Sequence, residues 1–227
     1  MTDMPFPIKS PDLILFGGAF DPPHLGHKDC VELTTKAFSL AEIFIVPSLL
    51  SPVSSSQVKS HQASFDDRAL MCELAFKNLG KNPRVLDIER HLPSPSYTIQ
   101  TLRELEKSYP GKRLGLLLGL DQFEKFLTWK EPVEILKRCC IVLVKRGNAN
   151  LDEVLKQFSR DLNLEVKTIT KTLVSIASIS SIHILNGQTM DISSTKLREQ
   201  LLTNPETPIK GLSPAVHEFI RAKSLYC

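Results

Sequence analysis

Residues 13–27 read LILFGGAFDPPHLGH. Four apolar residues run into two glycines, an acid, two prolines and two histidines three positions apart. The apolar run has the length of a buried strand, and Gly17 ends it. In an open parallel sheet, ligands bind beyond the carboxyl ends of the strands, so Gly17 and Gly18 stand at a ligand-facing edge. Without a Cβ they let the backbone approach a ligand closely. Pro22 and Pro23 stiffen the turn. A helix starts near Leu25 or Gly26, and its free N–H groups point back at the same place and favour an anion. His24 and His27 then face one site from the loop and the first helical turn. The string contains neither G-x-x-x-x-G-K-(S/T) nor G-x-G-x-x-G. A zinc site on His-x-x-His is the poorer reading, because no third ligand is spaced for it. A capped turn with two structural histidines would explain either histidine alone, but not the whole string. The pattern is built for phosphate.

A second string, ISSTKLR at 192–198, has the same character. Ser193, Ser194 and Thr195 are natural N-cap residues for the helix that follows. Their hydroxyls and the first N–H groups form an anion cradle, and Arg198 within the first turn or so can give phosphate a forked contact. An ordinary capped surface helix is the competing reading of this string taken alone.

Around these two strings, strand-like and helix-like runs alternate. Strands are expected at 13–17, 42–47, 84–89, 114–119, 140–146 and 180–185. Helical patterns occupy 26–40, 67–79, 96–109, 131–138, 194–202 and 214–225. Helical crossovers between strands imply parallel pairing, hence an α/β, Rossmann-like, doubly wound parallel sheet with helices on both faces. The expected organisation is a tail at 1–11 and one domain at 12–227, ending in a small helical part at 194–227. Residues 48–64 form a polar, serine-rich connection, long enough to imply a functional loop or a disordered one.

Composition sets the outer bounds. The chain has 227 residues, 42% hydrophobic and 23% charged, the balance of an ordinary globular protein. A net charge of +3 with scattered cations argues against nucleic acid but suits a pocket for polyphosphate. Five cysteines with no C-x-x-C pair imply a reducing compartment and no structural disulfide. No signal peptide and no membrane span is legible, so a cytoplasmic protein is expected. The sequence leaves oligomeric state open, a homo-oligomer included.

The string GGAFDPPHLGH resembles the G-G-x-F-D-P-x-H-x-G-H signature of the HxGH nucleotidyltransferases, and ISSTKLR resembles their I-S-(S/T)-T-x-(I/L)-R signature. Three further stretches are similar to bacterial nicotinate-mononucleotide adenylyltransferases: PSYTIQTL at 95–102, GLDQFEKFLTW at 119–129 and RALMCELAF at 68–76. The resemblance covers nearly the whole chain. It implies transfer of AMP from ATP to nicotinate mononucleotide, with Mg²⁺ accompanying the ATP. It further implies that Gly17, Gly18, Ala19, Phe20, Arg146, Ser194 and Thr195 bind ATP, with His24, His27 and Arg198 acting on the reacting phosphates. Thr98, Asp121 and Trp129 would serve the mononucleotide. One departure stands out. The family's P-P-H-(K/R) string is replaced by SPVSSS at 51–56, where Lys59 or His61 could stand in. A pantetheine-phosphate adenylyltransferase would share the two phosphate strings but has no reason to carry PSYT and Trp129 together. A non-catalytic nucleotide-binding regulator has no need of both histidines.

Overall fold

The computed structural model describes residues 10–54, 57–59, 61–80, 83–145, 151–204 and 206–226, with side chains left aside at 51–59. Strand β1 (Leu13–Gly18) leads into helix α1 (Leu25–Ala37) and strand β2 (Glu42–Pro47). A short hairpin follows, β3 (Ser51–Ser54) and β4 (Gln57–Lys59), then α2 (Phe65–Phe76), a two-residue strand β5 (Arg84–Val85) and α3 (Thr98–Ser108). Next come β6 (Leu114–Gly119), the single turn α4 (Leu120–Phe123), α5 (Pro132–Arg138) and β7 (Cys139–Lys145). The chain continues through α6 (Leu151–Leu162), β8 (Val166–Thr170), β9 (Leu173–Ile176) and β10 (Ser180–Asn186), and closes with α7 (Ser194–Thr203) and α8 (Pro214–Ala222).

The large sheet has the order β5-β2-β1-β6-β7-β10-β9-β8. It is parallel from β5 to β10. Buried Leu13–Phe16 fits β1 for the middle of such a sheet, where both faces are covered. Alternate residues serve opposite faces. Leu13 and Leu15 join Phe44, Leu116, Ile99 and Phe123 on one side, while Ile14 and Phe16 join Val31, Met71, Phe76 and Val216 on the other. From β1 the chain winds outward to β2 and β5, then returns to lay β6 on the other flank of β1. The switch in winding therefore lies between β1 and β6, where the crevice for a ligand opens. Gly17, Gly18 and Gly119 end these two strands.

The structure extends the sequence reading in three places. Residues 151–176, not assigned from the pattern, form α6 and the antiparallel strands β8 and β9 at one sheet edge. The strand expected at 84–89 stops after Val85 (although Leu86 N–H still donates to Ile45 O at 2.9 Å), and a 3-10 turn at Ile88–His91 takes over. The serine-rich connection carries the hairpin β3–β4.

Candidate active site

His24 is the N-cap of α1, with extended backbone, and is 5% exposed. Its Nδ1 accepts the His27 N–H at 3.3 Å, and the Nδ1 of His27 accepts the His24 N–H at 3.2 Å. Two imidazoles thus make the reciprocal cap usually built from Ser or Thr with Glu. Their rings stack, 3.6 Å between centroids and 19° between planes. Because each Nδ1 is an acceptor, each neutral ring carries its proton on Nε2 and is a donor from that side. His27 packs edge-on against Phe20 and Phe16, with centroids 5.0 and 6.0 Å away.

The loop leading to His24 is held by shape. Phe20 adopts φ 48°, unusual for a bulky residue, and is clamped among Phe16, His27 and Phe76. A Cβ on Gly17 would meet nothing within 4 Å, whereas one on Gly18 would approach the Phe20 ring to 3.1 Å. The strictest position is Gly26, where a Cβ would lie 2.7 Å from the Met190 carbonyl oxygen. The free amides expected at this helix end are mostly engaged. Leu25 N–H donates to Gly211 O at 2.8 Å, and the His27 and Lys28 amides donate to His24 O.

ISSTKLR closes onto this loop. Ser193 is the cap, accepting the Lys196 N–H at 3.3 Å. The Ser194 hydroxyl donates to Pro22 O at 2.9 Å. Arg198 donates from Nη1 to Asp21 O at 2.6 Å and from Nη2 to Thr195 Oγ1 at 3.3 Å. The amides of Ser194 and Thr195 have no partner among the described residues, so α7 presents the helix end expected of it. His24, His27, Ser194, Thr195 and Arg198 are thus brought together.

Beneath them lies a charged base that the sequence did not single out. Arg68 is 1% exposed and donates to three carbonyls: Ala19 at 2.7 Å, Ser48 at 2.8 Å and Ala63 at 3.3 Å. Asp21 accepts the Gln62 and Ala63 amides and the Tyr226 hydroxyl at 2.8, 3.1 and 2.7 Å. Burial and the neighbouring Asp21 charge push the Tyr226 phenol up, which keeps it a donor. Glu89, 8% exposed, accepts the Leu49 amide at 2.9 Å and the Ser96 hydroxyl. Burial pushes its carboxyl up, against those two hydrogen bonds and the Arg68 charge. A basic residue inside the apolar face of RALMCELAF was the available sequence signal for Arg68.

The remaining predicted residues come from separate segments. Thr98 is the first residue of α3 and lies within the capping contact in which Gln100 Oε1 accepts the Tyr97 N–H at 2.8 Å. The amides of Thr98 and Ile99 have no partner among the described residues. Asp121 lies exposed in α4, directly after β6, and accepts from the Gln122 side chain at 3.1 Å. Trp129 follows a 3-10 turn at Phe126–Thr128, half-buried, 5.5 Å from the Phe126 ring. His61 Nε2 meets Ser48 Oγ at 3.2 Å. Arg146, Cys227 and the side chain of Lys59 lie outside the described residues. Cys30, Cys72, Cys139 and Cys140 form no disulfide among the described residues.

Residues 15–200 match the cytidylyltransferase-like family model. The chain is 35% identical over 183 residues to the probable nicotinate-nucleotide adenylyltransferase of Aquifex aeolicus, covering 81% of this chain and 99% of that one. It is 33% identical over 215 residues to the protein of that name from Methylacidiphilum infernorum, covering 94% and 91%. The chain belongs to the cytidylyltransferase-like family, among its nicotinate-nucleotide adenylyltransferases. The fold agrees. Plasmodium falciparum nicotinic acid mononucleotide adenylyltransferase complexed with NaAD superposes with a TM-score of 0.72 at 19% identity, covering 96% of this chain and 98% of that chain. The same enzyme complexed with APC gives 0.69 at 18% identity, with the same coverage. In this adenylyltransferase no described helix is long and apolar enough to cross a membrane.

Proposed function

We propose that this enzyme transfers the adenylyl group of ATP to nicotinate mononucleotide, giving deamido-NAD and pyrophosphate. The observation that carries the reading is the reciprocal His24–His27 cap. It occupies both Nδ1 atoms and leaves each Nε2 as the side from which the ring donates, beside the loop that Arg198 and Ser194 of α7 hold. That is a constellation for a phosphoryl group gaining negative charge.

The acceptor's phosphate oxygen attacks the α-phosphorus of ATP. The bond from that phosphorus to the bridging oxygen breaks, and pyrophosphate leaves with the electron pair. The attacking phosphate is ionised at neutral pH, so no general base and no covalent enzyme intermediate is needed. The protein's work is in-line placement and charge stabilisation. His24, His27 and Arg198 meet the reacting phosphates, and Ser194 and Thr195 hold them through backbone amides. Gly17, Gly18 and Ala19 present backbone to ATP. Phe20, 1% exposed, can do so only through its main chain. Arg146 would meet the adenine.

Mg²⁺ arrives on the nucleotide in this reading. Among the described residues no group of three or more His, Cys, Asp or Glu could hold it, and both Asp21 carboxylate oxygens are already engaged.

On the acceptor side, Trp129 offers an indole to a flat, cationic pyridinium. Asp121 would take a ribose hydroxyl. The Thr98 and Ile99 amides and the Thr98 hydroxyl suit a carboxylate, whereas a neutral carboxamide loses the charge contribution. Turnover with ATP and three acceptors tests the reading: nicotinate mononucleotide, nicotinamide mononucleotide and phosphopantetheine. Rapid pyrophosphate release with the first is expected. Preference for phosphopantetheine, or no turnover with any, would overturn it.

A further inference from the structure

The hairpin β3–β4 enters through Ser48 and Leu49 and leaves through Gln62 and Ala63. Its two roots are held by different acids. At the exit, Asp21 accepts both amides, and Asp21 belongs to the loop that ends in His24. At the entry, the Leu49 amide goes to Glu89 Oε2 at 2.9 Å, and the same oxygen accepts the Ser96 hydroxyl. Ser96 is 4% exposed and stands two residues before Thr98 and the open end of α3. Arg68 braces both roots from below through the Ser48 and Ala63 carbonyls. One root is therefore referenced to the phosphate side of the cleft, the other to the acceptor side.

A neutral carbonyl oxygen has two lone pairs and could accept both hydrogen bonds at the entry, but only in their weaker neutral form. A carboxylate accepts both at one oxygen, in strong charge-assisted form, and so sets the distance between Leu49 and Ser96. An amide there would keep both partners at its oxygen but lose the charge assistance, which makes such bonds roughly twice as strong. Among the described residues Glu89 hydrogen-bonds to Leu49 and Ser96, and not to His24, His27 or Arg198.

We propose that Glu89 is a positioning residue for the acceptor: it fixes the entry root of the hairpin against the start of α3, and so determines affinity for the mononucleotide and not for ATP. The inference rests on the proposed reaction, because it takes α3 as the acceptor wall. Asp21 is the matching anchor on the phosphate side.

The test is a pair of isosteric variants, Glu89→Gln and Asp21→Asn, assayed with both substrates varied. Glu89→Gln is expected to raise KM for nicotinate mononucleotide about three- to tenfold, with KM for ATP within about twofold and kcat within about threefold. Asp21→Asn is expected to show the opposite split, raising KM for ATP or lowering kcat. Amide hydrogen exchange of ligand-free Glu89→Gln should quicken at residues 48–50 and 96–99 and stay unchanged at 24–28. Equal shifts in both KM values for Glu89→Gln, or a lowered melting temperature with both KM values unchanged, would overturn the proposal. A wild-type enzyme inactive with nicotinate mononucleotide would instead overturn the reaction itself, and the exchange measurement would still report whether Glu89 couples the two segments.

Discussion

The two sides of the cleft are built in different ways. On the phosphate side, one short loop is cross-braced from everywhere. The Gly17–His24 segment receives Arg68 from α2, Arg198 and Ser194 from α7, and Tyr226 from the chain's end, through Ala19, Asp21 and Pro22. On the side proposed for the acceptor, Thr98, Asp121 and Trp129 come from three separate elements. The ties recorded there are local: Gln100 to Tyr97, Gln122 to Asp121 and Trp129 against Phe126. Glu89 ties the start of α3 to the hairpin through Ser96, and further along Arg103 and Glu106 of α3 pair with Glu131 and Arg138. Phosphate groups are alike in every nucleotide, and a loop with two helix ends can hold them. The acceptor must be told from near relatives, and that work is spread over distant parts of the chain.

The sharpest break should come on the phosphate side. His27→Ala removes a donor to developing charge and half of the reciprocal cap, so kcat should fall roughly a hundredfold or more. Loss of the cap should cost about 1 kcal/mol of stability, leaving the fold intact by circular dichroism. Near wild-type turnover would remove His27 from the chemistry. On the acceptor side effects should be smaller and selective. Nicotinate mononucleotide should beat nicotinamide mononucleotide by at least about tenfold in kcat/KM, equivalent to about 1.4 kcal/mol. Equal values would refute the role given to the Thr98 helix end. Trp129→Ala should weaken both acceptors about three- to tenfold, the range of a desolvated cation–π contact, while much of the preference persists. Loss of the preference itself would mean that the indole, not α3, reads the ring's substituent.

The smallest kinetic effect belongs to the far end of the sheet. Hydrogen bonds from the Arg113 side chain and amide hold the Asp12 carboxyl well below its ordinary range. A carboxyl lowered on folding contributes stability above its unfolded pKa, and that contribution fades as pH falls below about 4. Asp12→Asn should therefore leave kcat and both KM values unchanged. It should also reduce the drop in melting temperature between pH 7 and pH 3. An altered KM would show that the two ends of β1 are coupled.

The phosphate side was legible because its chemistry sits in contiguous strings. Gly-Gly, His-x-x-His and the Ser-Ser-Thr cap each carry their own local reason. Two details were not. The α1 amides were expected to be open, yet Gly211 and His24 occupy most of them, and only the fold brings Gly211 there. Gly26 is constrained by Met190, far off in sequence. Arg68, Asp21 and Glu89 act through main-chain partners 49, 41 and 40 residues away, which no local spacing reveals. The 84–89 alternation looked like a strand, but a 3-10 turn uses it to carry Glu89 inward. Strand β8 is short, largely polar and at the sheet edge, so it lacked the apolar run that announced β1 and β6.

One reaction examines the proposed chemistry end to end: incubation with nicotinate mononucleotide and ATP bearing a stereodefined sulfur on its α-phosphorus. A single in-line displacement, assisted by His24, His27 and Arg198, should give the dinucleotide with inverted configuration at that phosphorus. Retention would mean two displacements and a covalent intermediate, and the absence of dinucleotide would contradict the assignment of the acceptor.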